Sequence, residues 1–573
     1  MMLNIVLPLL LSLLLTSAAA VQQWTFVQNG TSGIVAIEAI VVSPTLVLMY
    51  DRADGNPLLL PNGARAWAAL WDLEKNVATP LETLTNTFCA GGGFISNGTL
   101  VAVAGQPRED PYQPPADGRM GIRLFDPCTS PGGVNCTVFE DPANVHLAEL
   151  RWYPTGLRIP DGSLMVIGGS HSNTFYNTDA ANSIEFFPGR AGEAGTVRPS
   201  KFLLDAEPVN MFPRSFVLPS GNVFIVANNL TMIYNIATGT ETRLPDIPNG
   251  VHVTNPFDGT AQLLPLSPPL YEPSVLVCGG SATDPRIPEA NLSTQDPASD
   301  QCSRITLTPL GVARGWEVER MPETRVLLES VLLPTGDLLL INGAQTGYGG
   351  YPSIRGTNAT GMSNSDHPAR RALLYKTDAP RGARISHEGL PESDIARMYH
   401  SSAVLTPQGN IMVAGSNPHA TVVPASESQF PTEFRVEYLN PEFITANAPR
   451  PAIISAPAQI LFNQRATLRV NIPADLHGAP TKVSLMDLGF ATHSFHANSR
   501  LVFLEHTLRG SGSDTMLELE ITAPPNNNVY PPGPAFVFLV GGEVYSQAVK
   551  VMVGDGGNPP RPDQGVRMPV SSV

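Results

Sequence analysis

Hydrophobic and polar positions along this chain repeat as a unit: a turn carrying Gly, a short apolar run rich in β-formers, then small residues or glycine. Copies of the unit occupy residues 97–105, 161–169, 220–227, 274–280, 336–343 and 408–415, and a less regular copy at 39–52 comes first. Successive copies lie about fifty to seventy residues apart, the range of kelch-type propeller blades with loop insertions. A single unit exposes apolar strand faces, so the units must stack around an axis to bury them. Seven copies predict an all-β fold, a seven-bladed kelch-type β-propeller spanning 21–447. Past Asn447 the pattern changes. The connection Ala448-Pro449-Arg450-Pro451 introduces alternating strands predicted at 466–472, 482–487, 501–504, 515–521 and 535–540. Their size and texture predict an immunoglobulin-like β-sandwich over 448–555, followed by a flexible Gly/Pro-rich tail at 556–573.

Composition narrows the class. The 573 residues exceed one ordinary core, and 55 prolines with 50 glycines accompany 42% apolar residues, which fits turn-linked strands and not disorder. The net charge of −15, without a Lys/Arg cluster, argues against nucleic acid and anionic membrane surfaces as partners. Residues 1–20 read as a signal peptide that lacks the usual basic start: the apolar run at 5–15 is too short to span a bilayer, and Ser17-Ala18-Ala19-Ala20 offers a small-residue cleavage site. The expectation is a secreted, extracellular monomer with no membrane span. Glycosylation acceptors at Asn29, Asn97, Asn135, Asn229, Asn291 and Asn358 agree with that route.

Five cysteines, an odd number, leave one over in an oxidising compartment. Cys128 and Cys136 enclose a Pro/Gly-rich loop short enough to staple, and Cys278 and Cys302 can pair across one loop. Cys89 is then the orphan, beside three consecutive glycines, Gly91-Gly92-Gly93, that allow close approach of backbone or ligand. A buried free thiol is the ordinary fate of such a residue. In a secreted protein it is also a liability.

Candidate chemistry lies just ahead of the repeats. Arg151-Trp152-Tyr153-Pro154-Thr155 precedes one copy and Arg397-Met398-Tyr399-His400-Ser401 precedes another. Equivalent positions of different blades converge at one mouth of a propeller channel. Two phenols and an imidazole there, with His493 from the sandwich, make a mixed N/O donor set that suits Cu(II) better than zinc or calcium. Any one of these residues taken alone is more often structural.

Together, Phe88-Cys89, Arg151-Trp152-Tyr153, Arg397-Met398-Tyr399-His400-Ser401 and Thr492-His493 resemble the copper radical oxidases, the family of galactose oxidase and glyoxal oxidase. The likeness covers essentially the whole chain after residue 20 and includes the order of the motifs. It implies one copper ion held by Tyr153, Tyr399, His400 and His493, and a radical cofactor made by a thioether between Cys89 and Tyr153. It also implies that the electrons of aldehyde oxidation are divided between copper and Tyr153, with Tyr399 as base and O2 reduced to hydrogen peroxide. His493 matches the family's Thr-His pair and His496 does not. In one strand, residues three apart would also point to opposite faces.

One departure concerns the Trp that galactose oxidase stacks over its cross-linked tyrosine. Here Gly168-Gly169-Ser170 is followed by His171, either an ordinary loop histidine or a more polar cover for the cofactor. The run Met398–Ser402 and Gly415-Ser416-Asn417-Pro418 look nearer to the fungal glyoxal oxidase branch. That shifts the expected substrate to small aldehydes such as glyoxal and methylglyoxal, with extracellular peroxidases as consumers of the peroxide. Two other readings are a galactose or primary alcohol oxidase of the same family and a non-enzymatic carbohydrate-binding kelch protein.

Overall fold

Short apolar runs bounded by turns build antiparallel sheets throughout. The computed structural model describes residues 23–573 apart from 53–54, 108–115, 129, 173, 191, 511–515 and 568–571, so the signal-peptide reading falls outside the described residues. Seven sheets follow one another along the chain as blades 1 to 7. Their innermost strands are Glu38–Val41, Gly91–Phe94, Thr155–Arg158, Arg214–Val217, Gly259–Leu263, Glu329–Leu332 and Ser401–Leu405. The repeated apolar unit forms the second strand of each blade, as in Leu100–Val103 and Leu164–Ile167, where every residue is buried. Burial on both faces explains why these strands read as continuous apolar runs and not as alternation. The amino-terminal strand Trp24–Thr31 pairs antiparallel with Arg435–Pro441 of blade 7, joining the two ends of the propeller.

After the propeller come two packed sheets, an immunoglobulin-like sandwich. Its strands include Arg465–Asn471, Thr481–Asp487, Arg500–Phe503, Leu517–Thr522 and Gly533–Gly541, close to the predicted runs. One element leaves the sandwich. Phe490–Thr492 and Phe495–Ala497 form a hairpin that pairs with the blade 1 inner strand, Glu38 opposite Thr492. This hairpin touches the inner strand of every one of the seven blades, so it occupies the central channel.

Buried polar contacts weld the sandwich to the propeller. Arg158 and Asp487 form an ion pair at 2.6 Å, Tyr545 Oη donates to the Gly409 carbonyl at 2.9 Å, and Ser484 Oγ donates to the Pro334 carbonyl at 2.6 Å. The Gly/Pro-rich tail, expected to be flexible, also makes contacts: Arg561 N–H donates to Asp161 O at 2.7 Å and Val573 N–H to Leu307 O at 2.9 Å. Two disulfides form, Cys128–Cys136 and Cys278–Cys302, and Cys89 is a buried free thiol. Cys278 and Cys302 face each other directly across the adjacent strands Ser274–Gly279 and Gln301–Thr306.

Candidate metal centre

Each site residue of the propeller sits where the chain turns into an inner strand. Cys89 and Tyr153 lie two residues ahead of theirs and His400 one residue ahead. All three adopt left-handed backbone conformations, with φ of 59°, 61° and 64°, and His493 at the hairpin tip has φ 46°. Non-glycine residues there cost on the order of 1–3 kcal/mol each and persist only where the surroundings dictate them. Phe212 and Leu327 repeat the conformation in blades 4 and 6. The turn therefore recurs in blades 2, 3, 4, 6 and 7, and the sequence decides which side chain each of these sends toward the axis. Backbone bonds tie neighbouring turns together: Tyr153 N–H donates to Cys89 O at 3.3 Å and Phe212 N–H to Tyr153 O at 2.9 Å.

The glycines after Cys89 serve this convergence. A Cβ on Gly92 would lie 2.7 Å from the Phe490 ring of the hairpin, and one on Gly93 would strike the Asn498 side chain. Close approach is required, and the partner is the protein's own hairpin.

At the axis the five side chains meet. Tyr153 Oη and Tyr399 Oη are 2.8 Å apart, and Cys89 Sγ is 3.4 Å from His493 Nε2 and 3.9 Å from His400 Nε2. Cys89 and Tyr153 lie close enough to perturb each other's ionisation. His400 Nδ1 faces the Asn417 carbonyl at 3.0 Å and His493 Nδ1 faces Thr492 Oγ1 at 2.6 Å, which turns both Nε2 atoms inward. All five residues are buried.

Burial also sets their protonation. It pushes the Cys89 thiol and the Tyr153 and Tyr399 phenols well up, holds His400 down at about 3 and drives His493 well below the usual histidine value. The resting donors are thus two neutral imidazoles with free lone pairs and phenols that ionise only if a cation compensates. Two nitrogen and two oxygen donors converging in a buried pocket fit a copper ion.

Aromatic rings wall the centre. Trp152 and Phe212 pack against Tyr153 with centroids at 4.7 and 5.1 Å, and Phe212 stacks on His493 at 4.7 Å. Half-buried Tyr351, from the loop that blade 6 inserts between its second and third strands, packs on Tyr399 at 6.1 Å and on His400 at 5.6 Å. The Arg52 guanidinium lies over the Phe88 and Tyr351 rings. Sequence reasoning missed Phe212, Tyr351 and Arg52; only Phe212 had a signal, its place two residues ahead of a strand.

His171 lies apart from this wall. Its Nε2 faces Glu149 Oε1 at 3.0 Å and its Nδ1 faces Asp179 Oδ1 at 3.1 Å. Among the described residues, the rings against Tyr153 are those of Trp152, Phe212 and His493. Glu149, which holds the His171 ring, also binds Arg151 Nη2 at 3.1 Å. His496 differs from His493 for a reason other than strand alternation. The segment is a tight hairpin with His493 and Ser494 at its turn, and His496 Nε2 faces Glu329 Oε2 at 2.7 Å.

Of the sequons, Asn29, Asn135, Asn291 and Asn358 are exposed, and Asn97 and Asn229 are partly covered.

Comparison with known proteins adds the following. Residues 52–443 match the family model described as glyoxal oxidase N-terminus, and residues 450–553 match the galactose oxidase-like early set domain. "Aldehyde oxidase GLOX" of Vitis pseudoreticulata is 32% identical over 529 residues, covering 89% of this chain and 93% of that protein. "Aldehyde oxidase GLOX1" of Arabidopsis thaliana is 30% identical over 497 residues, covering 84% of this chain and 74% of that one. A solved fungal alcohol oxidase of the AA5 family, in complex with copper, superposes with a TM-score of 0.67 at 16% identity. The match covers 93% of this chain and all of that one, a likeness of fold.

Proposed function

Because the chain belongs to the glyoxal oxidase family of copper radical oxidases, we propose that it oxidises small aldehydes such as glyoxal and methylglyoxal to carboxylic acids outside the cell, reducing O2 to hydrogen peroxide. The observation that carries this reading is the convergence of Tyr153, Tyr399, His400 and His493 with the unpaired Cys89 in one buried pocket. Neither a kelch binding module nor a structural protein needs such a set.

His400 and His493 would hold the copper through their inward Nε2 atoms, with Tyr153 and Tyr399 as oxygen donors. A copper ion there would supply a one-electron acceptor and would acidify a substrate oxygen bound to it. Tyr399 receives the substrate proton at Oη, 2.8 Å from Tyr153 Oη. Tyr153, in its one-electron-oxidised form linked to Cys89, would take one hydrogen atom, a proton with the second electron, from the aldehyde-hydrate carbon, and O2 would take the two electrons from the reduced centre to give hydrogen peroxide. The surrounding Trp152, Phe212, Phe88 and Tyr351 rings exclude water and keep the oxidised phenol from side reactions.

Two disulfides and exposed sequons support an extracellular setting, where peroxidases would draw on the peroxide. No helix among the described residues is long and apolar enough to cross a membrane. The test is a peroxidase-coupled assay of the copper-loaded protein on methylglyoxal, glycerol and galactose. Methylglyoxal turning over fastest is the expected result; turnover of galactose alone would overturn the aldehyde reading.

A further inference from the structure

The hairpin that presents His493 belongs to the sandwich; beside its strand pairing with blade 1, the propeller holds its turn through a carboxylate of blade 6. Glu329, first residue of the blade 6 inner strand, accepts the Ser494 N–H on Oε1 at 3.2 Å and meets His496 Nε2 with Oε2 at 2.7 Å. Glu329, Ser494 and His496 are 1%, 3% and 2% exposed, so these contacts face no competition from water. Both fall just beyond His493 in sequence. His493 and Ser494 are consecutive left-handed residues, φ 46° and 65°, a conformation that a loosely held turn would leave. The Thr492 hydroxyl fixes the rotation of the His493 ring. Glu329 fixes where the turn itself stands in the channel.

We propose that Glu329 is the positioning residue for His493: a propeller carboxylate that docks the sandwich hairpin and so sets the affinity and geometry of the metal centre. The proposal rests on the copper reading above. Groups bonded directly to a metal ligand typically govern affinity by about 10–100-fold; Glu329 acts one contact further out, through Ser494 and His496, so up to about tenfold is expected.

The experiment uses the full chain. Cu(II) affinity is measured by competition with a chelator, and the Cu(II) electron paramagnetic resonance spectrum is recorded, for wild type, Glu329→Ala, Glu329→Gln and His496→Phe. Tyr545→Phe, which removes a different buried contact between sandwich and propeller, serves as control. Glu329→Ala is expected to weaken copper binding by up to about tenfold and to shift the hyperfine splitting. Glu329→Gln, whose amide oxygen still accepts the Ser494 N–H, falls between, and Tyr545→Phe changes neither readout. Wild-type affinity and spectrum in Glu329→Ala overturn the proposal, as does an equal loss in Tyr545→Phe. If Glu329→Ala does not fold, unchanged copper binding in both Glu329→Gln and His496→Phe overturns it. A wild type that binds no copper would refute the functional reading instead.

Discussion

Replacing Tyr399 by Phe removes one oxygen atom and leaves the ring that packs on His400 at 3.7 Å and on His493 at 5.5 Å. In the metal-free protein the structural cost is one hydrogen bond, to Tyr153 Oη at 2.8 Å, and in the copper-loaded protein one proposed oxygen donor goes with it. A neutral hydrogen bond contributes about 0.5–1.5 kcal/mol net, and the variant no longer buries a phenol. Thermal stability of the metal-free variant should therefore stay within ~1 kcal/mol of metal-free wild type. The chemical cost is far larger, because that oxygen is the proposed acceptor of the substrate proton. Loss of a positioned general base lowers kcat by about 10²–10⁴-fold, or ~3–5 kcal/mol of transition-state stabilisation. The Cys89–Tyr153 pair is untouched, so the thioether should still form. Peroxidase-coupled turnover of methylglyoxal, metal analysis and a thermal melt of the metal-free protein separate these effects. A kcat within tenfold of wild type, in a copper-loaded and folded variant, would refute the assignment of Tyr399 as base.

Two further outcomes follow from buried charges elsewhere. Asp487→Ala strands the buried Arg158 guanidinium, its partner at 2.6 Å, and should cost about 3–5 kcal/mol in urea unfolding. His252 is held down to about 4 by burial, so the folded state keeps it neutral while the unfolded chain protonates near 6.5. Because the unfolded chain then binds more protons, its contribution is fully present above pH 6.5 and is lost as pH falls toward 4. The loss is on the order of 2–3 kcal/mol. His252→Asn should shrink the difference in stability between pH 7 and pH 4.5; an unchanged difference would refute this assignment.

The propeller was legible because each second strand is buried on both faces, which prints a continuous apolar run beside a Gly turn, as in Asp161-Gly162-Ser163 before Leu164–Ile167. The ligand-bearing hairpin was harder to read. Its turn, His493-Ser494, contains no Gly, Pro, Asn or Asp, so nothing local marks the reversal and the segment passes for one strand. The strain that hides it is sustained by contacts more than a hundred residues away, including Glu329. Phe212 and Tyr351 escaped for another reason. An apolar or phenolic ring reads as core until the fold brings it against a metal-binding set. His171 drew attention because it stood at a motif position, yet Glu149 and Asp179 hold its ring at the loop.

The central claim is that Cys89 and Tyr153 become one cofactor. Intact mass of the purified, copper-loaded, deglycosylated protein, with Cys128–Cys136 and Cys278–Cys302 reduced, tests it most directly. A thioether leaves the chain two hydrogens lighter than its sequence mass, and Tyr153→Phe restores those hydrogens and abolishes turnover. A full sequence mass in wild type, with activity retained by Tyr153→Phe, would contradict the account.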